Sequence, residues 1–368
     1  MTPVPCATLR AQIEAILAAW GMPAPTRRIT AEAMADTDLL GIDSHGISML
    51  PMYEKLRQAG TLRLAAEPRV VRETPAAAVI DAGAGLGHPA AAMAADLAAE
   101  KARALGIGAV GVVNSHHFGA AGWYARRVAA AGCCGLVVSS ARGVLVVPTG
   151  GAEPMLGTNP IAFAAPLPGG APFCLDMATS TTAANKVKVH ALQGKPVPAG
   201  WVVDGAGQPV TDPEAAWALI GGAVAAGRRP EGGLTPLGGA SVETGGHKGY
   251  GLAVMVQILA ATLLGEPFPA LHQGRRAAGE GDRLGHLVVA FSPTLFAGSD
   301  AAFATGMQEL AQALRATRPA DPTRPVHIAG DPEAAEAERR RHEGIPLPET
   351  LRAQLRGVAE RAGVPFWL

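Results

Sequence analysis

Aromatic side chains are scarce in this 368-residue chain, at 4%, and neither charge is in excess, with 31 lysines and arginines against 31 aspartates and glutamates. A nucleic-acid partner is thereby disfavoured, because phosphate neutralisation needs a basic face and single strands need aromatic platforms. Cysteine is sparse too. Cys6, Cys133, Cys134 and Cys174 form no CxxC pair and no secreted framework. They read as free thiols of a reduced, cytoplasmic compartment, with Cys133 and Cys134 as small core residues. The opening MTPVPCATLRAQIEAILAAWG has no basic segment ahead of an apolar one, so no secretory signal is expected. The longest apolar run, Gly251 to Gly265, is interrupted by Gln257 and reads as too short for a bilayer, so no membrane association is expected.

Several chemical signatures are missing as well. No GxGxxG follows a strand, since GAGLG at residues 83–87 has the wrong spacing, so the ordinary Rossmann fingerprint fails. GxxxxGK[ST] and GxSxG are absent, which removes the P-loop reading and disfavours a serine hydrolase. Neither HExxH nor a Cys/His ligand spacing occurs, so no metal is expected.

What is present is ample core material, with 48% hydrophobic and 17% charged residues. That excludes disorder and fits one or two domains. Leu9, Ile13, Ile16 and Leu17 recur at helical spacing before Gly21. Thr30 and Glu32 mark the opening of a second helix, and a third is expected from Met49. HPAAAMAADLAAEKARALG reads as an alanine-rich helix, IGAVGVVNS as a strand, HHFGAAGWYARRVAAAG as a helix and CGLVVSSA as a strand. This alternation implies an α/β domain with a partly parallel sheet. Further strands are expected at PIAFAAP, FCLDMA and GHLVVAFSP, a long loop from Gly221 to Gly246, and a buried helix at GYGLAVMVQILAATLLG. The charged C-terminal forty residues read as helical.

Four clusters carry candidate chemistry. In LGIDSHGISMLPMY, Asp43, Ser44 and His45 stand together at a helix end; imidazole exchanges protons near neutrality, though Asp or Ser there is equally a helix cap. In VNSHHFGAAGWYA, His116 and His117 lie where a strand hands over to a helix, one reading being a capping and a packed histidine. GTNPIAF and CLDMATSTTAANKV place Asp176 ahead of Thr179, Ser180, Thr181 and Thr182, groups able to hold phosphate or sugar. GGHKGYG offers Lys248 among glycines that permit close backbone approach.

Taken in order, DSHGIS, SHHFGAAGWYA, GTNPIAFAAP, DMATS, GKPVPAGWVVD and GGHKGYGLAVMVQIL resemble the malate/L-lactate dehydrogenase family, which also includes ureidoglycolate, sulfolactate and diketogulonate dehydrogenases and cyclic-imine carboxylate reductases. The likeness runs from about residue 7 to about residue 360. It implies a non-Rossmann α/β fold of the sulfolactate/malate dehydrogenase type: three layers, a mixed sheet and a helical domain built from both chain ends. The expected division is residues 1–72 with 320–368 for the helical domain and 73–319 for the domain that binds cofactor and substrate. NAD or NADP is the implied cofactor, a 2-oxo acid the implied substrate and a homodimer the implied assembly.

Carried onto this sequence, the resemblance makes His45 the proton donor, with Ser44 beside it and Asp176 completing a relay that would raise the histidine pKa. His117 would lie close to nicotinamide and substrate, with Thr158 and His286 bordering the substrate. Cofactor contacts would fall on Ser140, Asp176, Met177, Ala178, Thr179, Ser180, Lys248, Gly249 and the Gly330 turn. Two departures stand out. Met49 replaces the arginine that commonly grips the substrate carboxylate, which leaves Arg142, Lys186 or Lys188 as substitutes. GDPEA at Gly330 replaces a GxE-type turn and leaves the choice between NAD and NADP open. Reduction of a cyclic imine-2-carboxylate, such as pyrroline- or piperideine-2-carboxylate, is the alternative activity.

Overall fold

The spacing of Leu9, Ile13, Ile16 and Leu17 gives α1 (Cys6–Ala19) one apolar face, and all four side chains are fully buried. The structure, a computed structural model, describes residues 3–221, 231–272, 275, 277 and 279–368. α2 (Ala24–Leu39) begins six residues before the expected Thr30. Pro25 sits in its first turn, where a missing N–H costs no hydrogen bond, and Thr30 is an interior residue whose hydroxyl donates to the Thr26 carbonyl at 2.9 Å. A single turn of tighter helix, Ile47–Met49, leads into α3 (Leu50–Gln58).

The α/β part follows. β1 (Arg69–Glu73) was not legible in the sequence, because its five residues are all exposed and show no alternation. It pairs antiparallel with β2 (Ala77–Asp81). α4 (Gly87–Leu105) then crosses over to β3 (Ile107–Ser115), which runs parallel to β2. α5 (Ala121–Ala130) starts later than expected, so that His116 and His117 precede the helix. β4 (Cys134–Ser139), β5 (Ile161–Ala165) and β6 (Phe173–Met177) lie where strands were expected. After α6 (Ala184–Gln193), β7 (Val202–Asp204) and α7 (Pro213–Gly221) comes β8 (Gly232–Leu234), which pairs antiparallel with β7. Of the loop expected from Gly221 to Gly246, residues 222–230 lie outside the described residues, and β8 occupies part of the rest. α8 (Gly246–Ala260), α9 (Pro269–His272), β9 (Leu284–Phe291), α10 (Pro293–Ala297), α11 (Asp300–Arg315), α12 (Asp331–Glu343) and α13 (Glu349–Ala362) complete the chain. The main sheet is mixed, in the order β1-β2-β3-β9-β4-β5-β6.

The alanine content has a packing explanation. Ala90, Ala91, Ala94, Ala95, Ala98, Ala99 and Ala102 of α4 are all buried. The helix lies so close to β3 that a Cβ on Gly108 would fall 2.2 Å from the Ala98 carbonyl oxygen. Side chains larger than methyl would hold the helix off the sheet.

The chain divides into two compact units, one of residues 1–137, 162–176 and 287–368, the other of 138–161 and 177–286. The first unit holds two cores. One joins α4 and α5 to the sheet; the other is built from α1, α2, α3, α12 and α13. Ala33 of α2 belongs to the former and Met34 to the latter, so this helix links them in three layers: sheet, α4 with α5, and helices from both chain ends. Those terminal helices have their own core, yet they share a compact unit with β1–β3 rather than separating at residues 72 and 320.

The second unit packs around Val146, Val187, Val202, Leu234 and Ala253. α8 differs from its expected burial. Only Gly246, Gly249, Ala253, Val256, Gln257 and Ala260 go inside, while Met255, Ile258 and, in the turn beyond, Leu263 stay exposed. Together with that turn it makes a 19-residue stretch, Gly246–Leu264, apolar and long enough by length and composition alone to cross a bilayer, where the run had read as too short.

Candidate active site

The turn carrying His45 is held from beneath by Asp38, near the end of α2. The Asp38 side chain is buried, and its Oδ2 accepts the Ile47 N–H at 2.7 Å. Gly46 is required by that arrangement: a Cβ there would fall 2.0 Å from Asp38 Oδ1. Burial pushes the Asp38 carboxyl well above its usual range, against the pull of the Ile47 N–H. From α12, Arg340 donates to the Asp38 backbone carbonyl at 2.6 Å and grips both carboxylate oxygens of Asp43. Arg340 is 6% exposed, so an unpaired Asp43 and a lost carbonyl partner would follow its removal. Arg340→Met is expected to destabilise the fold by about 1 kcal/mol, read as a lower urea midpoint; an unchanged midpoint would show that the turn holds itself.

Above that support, Ser44 Oγ lies 2.7 Å from His45 Nδ1, and the His45 ring stacks on His117 with centroids 5.5 Å apart. His117 Nδ1 faces the Tyr53 hydroxyl at 2.7 Å and the Gly119 N–H at 3.3 Å. A backbone N–H can only donate, so His117 Nδ1 is an acceptor and the neutral ring carries its proton on Nε2. Burial keeps the Tyr53 hydroxyl protonated, as a second donor to the same nitrogen. His88 meets the Tyr53 ring edge-on at 6.1 Å. His116 belongs to the packing instead: it is fully buried, with Nε2 2.8 Å from the Thr61 carbonyl oxygen. The histidine-bearing loop is fixed at its far end by Tyr124, whose hydroxyl donates to the Phe118 carbonyl, and by Trp123, whose indole N–H donates to Asp36 at 3.1 Å.

Asp176 departs from its expected place in a relay. Its Oδ2 accepts the Gly122 N–H at 2.7 Å, which caps the start of α5, and no hydrogen bond joins it to Ser44 or His45 among the described residues. The carboxylate is open to water on one side and crowded by protein on the others; the lost hydration raises its pKa, opposed by the Gly122 N–H and Arg126. His45 departs correspondingly. Burial lowers its pKa from the ordinary value, and no carboxylate counters the shift.

The remaining candidates separate by burial. Gly330 caps α12 in a left-handed conformation, φ +99°, where a Cβ would fall 2.9 Å from the Pro172 carbonyl oxygen. Met49 packs against the terminal-helix core and offers no charge. In the second unit, Ser140 is buried and latched to Gly285: its N–H and hydroxyl donate to the carbonyl, and its Oγ accepts the Gly285 N–H at 3.1 Å. His286 is fully buried with Nδ1 2.7 Å from Ser139 Oγ, the arrangement of a core histidine. Thr179 and Ser180 are buried and bonded to nearby carbonyls, including that of Thr158, and Met177 and Ala178 are half-buried at the end of β6. Gly249 serves packing, since a Cβ would fall 2.1 Å from the Leu237 carbonyl oxygen. Lys248 is the contrasting residue. It is exposed in the first turn of α8, whose N-terminus has no side-chain cap, and no ion pair engages it among the described residues. Of the substitute cations, Arg142 is committed to buried Asp282 at 3.0 Å and Lys188 lies 5.9 Å over the Trp217 ring, which leaves exposed Lys186.

Three comparisons with known proteins bear on this arrangement. The profile of the malate/L-lactate dehydrogenase family matches residues 4–356. The chain belongs to that family. It is 35% identical over 349 residues, 95% of this chain and 92% of the relative, to a malate dehydrogenase of Pyrococcus abyssi. It is 33% identical over 365 residues, 98% of this chain and 97% of the relative, to a Pseudomonas putida Delta(1)-pyrroline-2-carboxylate/Delta(1)-piperideine-2-carboxylate reductase. Its fold matches the crystal structure of malate dehydrogenase from Entamoeba histolytica with a TM-score of 0.92 at 29% identity, covering 100% of this chain and 99% of the other. As a member of the malate/L-lactate dehydrogenase family the chain is an oxidoreductase, and the absence of a GxGxxG fingerprint accords with its non-Rossmann sheet order.

Three residues of the site went unnoticed in the sequence. Tyr53 stood within the LPMY segment and read only as the start of a helix; Asp38 and Arg340 read as ordinary polar positions of helices. A tyrosine one or two turns beyond a candidate catalytic histidine is the sole signal that the sequence offered. Nothing local marks Arg340, which meets Asp43 across 297 residues of chain.

Proposed function

We propose that this protein transfers a hydride between NAD(P)H and C2 of a 2-oxo acid, forming a 2-hydroxy acid, with His45 exchanging the proton of the C2 oxygen. The observation that carries the reading is the Ser44–His45–His117–Tyr53 arrangement, in which two imidazoles are stacked and each is oriented through its Nδ1. Ser44 orients His45, which leaves Nε2 to exchange a proton with substrate. His117, its Nδ1 held by Tyr53 and Gly119, stacks on His45 and would lie beside the substrate. Asp176 acts on the start of α5 rather than on His45.

The residues present fit a dinucleotide. The exposed Lys248, in the first turn of α8 where the helix dipole also favours anions, supplies a positive charge suited to its phosphates. When bound, the nicotinamide supplies the hydride. Free thiols at Cys6, Cys133, Cys134 and Cys174 support a reducing cytoplasmic setting. The exposed apolar side chains Met255, Ile258 and Leu263 support a homodimer. Sedimentation should then give twice the 37.4 kDa chain mass, whereas a monomer at micromolar concentration would remove the dimer.

The test is loss of the reduced-nicotinamide absorbance with a panel of 2-oxo acids and cyclic imine-2-carboxylates, using NADH and NADPH in turn. Turnover of a 2-oxo acid is expected; oxidation of the cofactor by no member would overturn the reading. The likeness to the Pseudomonas putida relative keeps cyclic-imine reduction as the second reading, and it wins where an imine outruns every oxo acid.

The pH dependence has a defined sign. Burial lowers the His45 pKa, so the ring is neutral at pH 7 and the proton-donating form grows only as pH falls below the ordinary histidine value of about 6.5. Reduction should therefore slow by up to about tenfold per pH unit above the lowered pKa where proton donation limits the rate. Oxidation of the hydroxy acid, which needs the neutral ring, should rise with pH and level off at a lower pH than an ordinary histidine would give. A reductive profile that holds flat to pH 8 would contradict the role of burial at His45.

A further inference from the structure

The first unit contains a cavity of about 620 Å³ that the proposed reaction does not use, lined by Trp20, Arg57, Arg63, Arg69, Asp81 and the Leu64–Glu67 segment, among others. Its volume lies within the range of small-molecule pockets. Trp20 is 8% exposed, and its buried indole N–H has no partner among the described residues. The Arg57 guanidinium lies 5.4 Å over the Trp20 ring, and its buried Nε also lacks a partner. Arg63 is exposed on the rim and enters no ion pair among the described residues.

The acidic groups do not satisfy these donors. Asp81 Oδ1 accepts the Gly83 N–H at 2.8 Å and the Asn114 amide at 3.0 Å, while Oδ2 lies 3.7 Å from Arg69. Glu67 is exposed. The cavity thus gathers the Arg57 and Arg63 guanidinium groups, neither of which enters an ion pair among the described residues. Buried donors cost stability unless something accepts from them, and guanidinium groups match the paired oxygens of carboxylates and phosphates.

We propose that this cavity binds a small organic or inorganic polyanion bearing carboxylate or phosphate groups, held by Arg57 and Arg63. Arg57 lies one helical turn after Tyr53 on α3, on the same side of the helix. Because the Tyr53 hydroxyl bonds His117, an anion on Arg57 is placed to influence the orientation of that histidine. Binding itself does not depend on the catalytic reading.

Isothermal titration of the full chain with pyrophosphate and, separately, citrate tests the proposal. At least one is expected to bind once per chain, with affinity falling about tenfold in Arg63→Ala, the scale of one charge-assisted contact, and comparably in Arg57→Gln. Arg63 is exposed, so its variant should keep the wild-type melting temperature in the absence of anion. Pyrophosphate alone binding identifies a phosphate site, and citrate alone a carboxylate site. Binding of neither at millimolar concentration overturns the proposal. So does binding that Arg63→Ala leaves unchanged and Lys248→Ala abolishes, because the anion then belongs to the start of α8.

Discussion

Replacing His45 with alanine is expected to lower turnover of the preferred 2-oxo acid by a hundredfold or more, the ordinary scale for loss of a general acid. Dinucleotide affinity should stay within about twofold, because the phosphate-binding features proposed above lie on α8. The size of the effect follows from geometry. Ser44 holds Nδ1 of His45 at 2.7 Å, and stacking on His117 fixes the plane of the ring, so the remaining nitrogen is presented in one direction. Single-turnover rates and cofactor titration, measured on the same variant, separate the two quantities. Near-normal turnover with intact cofactor binding would take His45 out of the reaction. His117→Ala is the informative companion, because it removes the ring on which His45 stacks.

Gly46→Ala should have the second large effect, on stability and activity together. The added methyl would lie 2.0 Å from Asp38 Oδ1 and 2.1 Å from Asp38 Cγ, and the buried Asp38 side chain already holds the Ile47 N–H. Either the turn moves, taking His45 with it, or Asp38 rotates away and the N–H is left without its acceptor. Overpacking of this kind costs about 3 kcal/mol, and displacement of His45 should reduce turnover by at least tenfold, since small misplacements of reacting groups are costly. Gly251→Ala provides the contrast. It lies in α8 with nothing within 4 Å of the added Cβ, so unfolding should become harder by up to about 1 kcal/mol. Denaturant midpoints of both variants decide the matter. Equal behaviour of the two would show that close approach to Asp38 is not what excludes a side chain at position 46. The Asp38→Ala change made together with Gly46→Ala should recover part of the lost stability, as expected for residues in direct contact.

Much of the architecture was legible because periodic burial leaves a local record. The apolar spacing of α1, the compact strand IGAVGVVNS and the alanine run of α4 each have a local cause, and each formed near its expected position. Charged, unalternating β1 left no such record, since an edge strand exposed along its whole length imposes no pattern on its side chains. Thr30 misled for a related reason: a threonine followed by alanine and glutamate resembles a cap, yet Pro25 opens the same helix earlier.

At the site, residue types and motif order pointed to Ser44, His45 and His117, and these three stand together with Tyr53. Sequence order could not say which partner each polar group would choose. Asp176 went to the Gly122 N–H because the end of β6 lies beside the start of α5, and His286 was taken into the core by its place in β9. Arg340 reaches Asp43 only because α12 packs on the terminal-helix core.

By itself the sequence determined the class of chemistry and the order of most elements, and it pointed to the candidate site side chains, since these depend on residue type and short-range spacing. The tertiary structure alone decided the hydrogen-bond partners, the downward shift of the His45 pKa and the need for glycine at position 46. Those properties depend on distances of a few ångströms between segments far apart in the chain, and burial and contact at that range are set by packing rather than by local pattern.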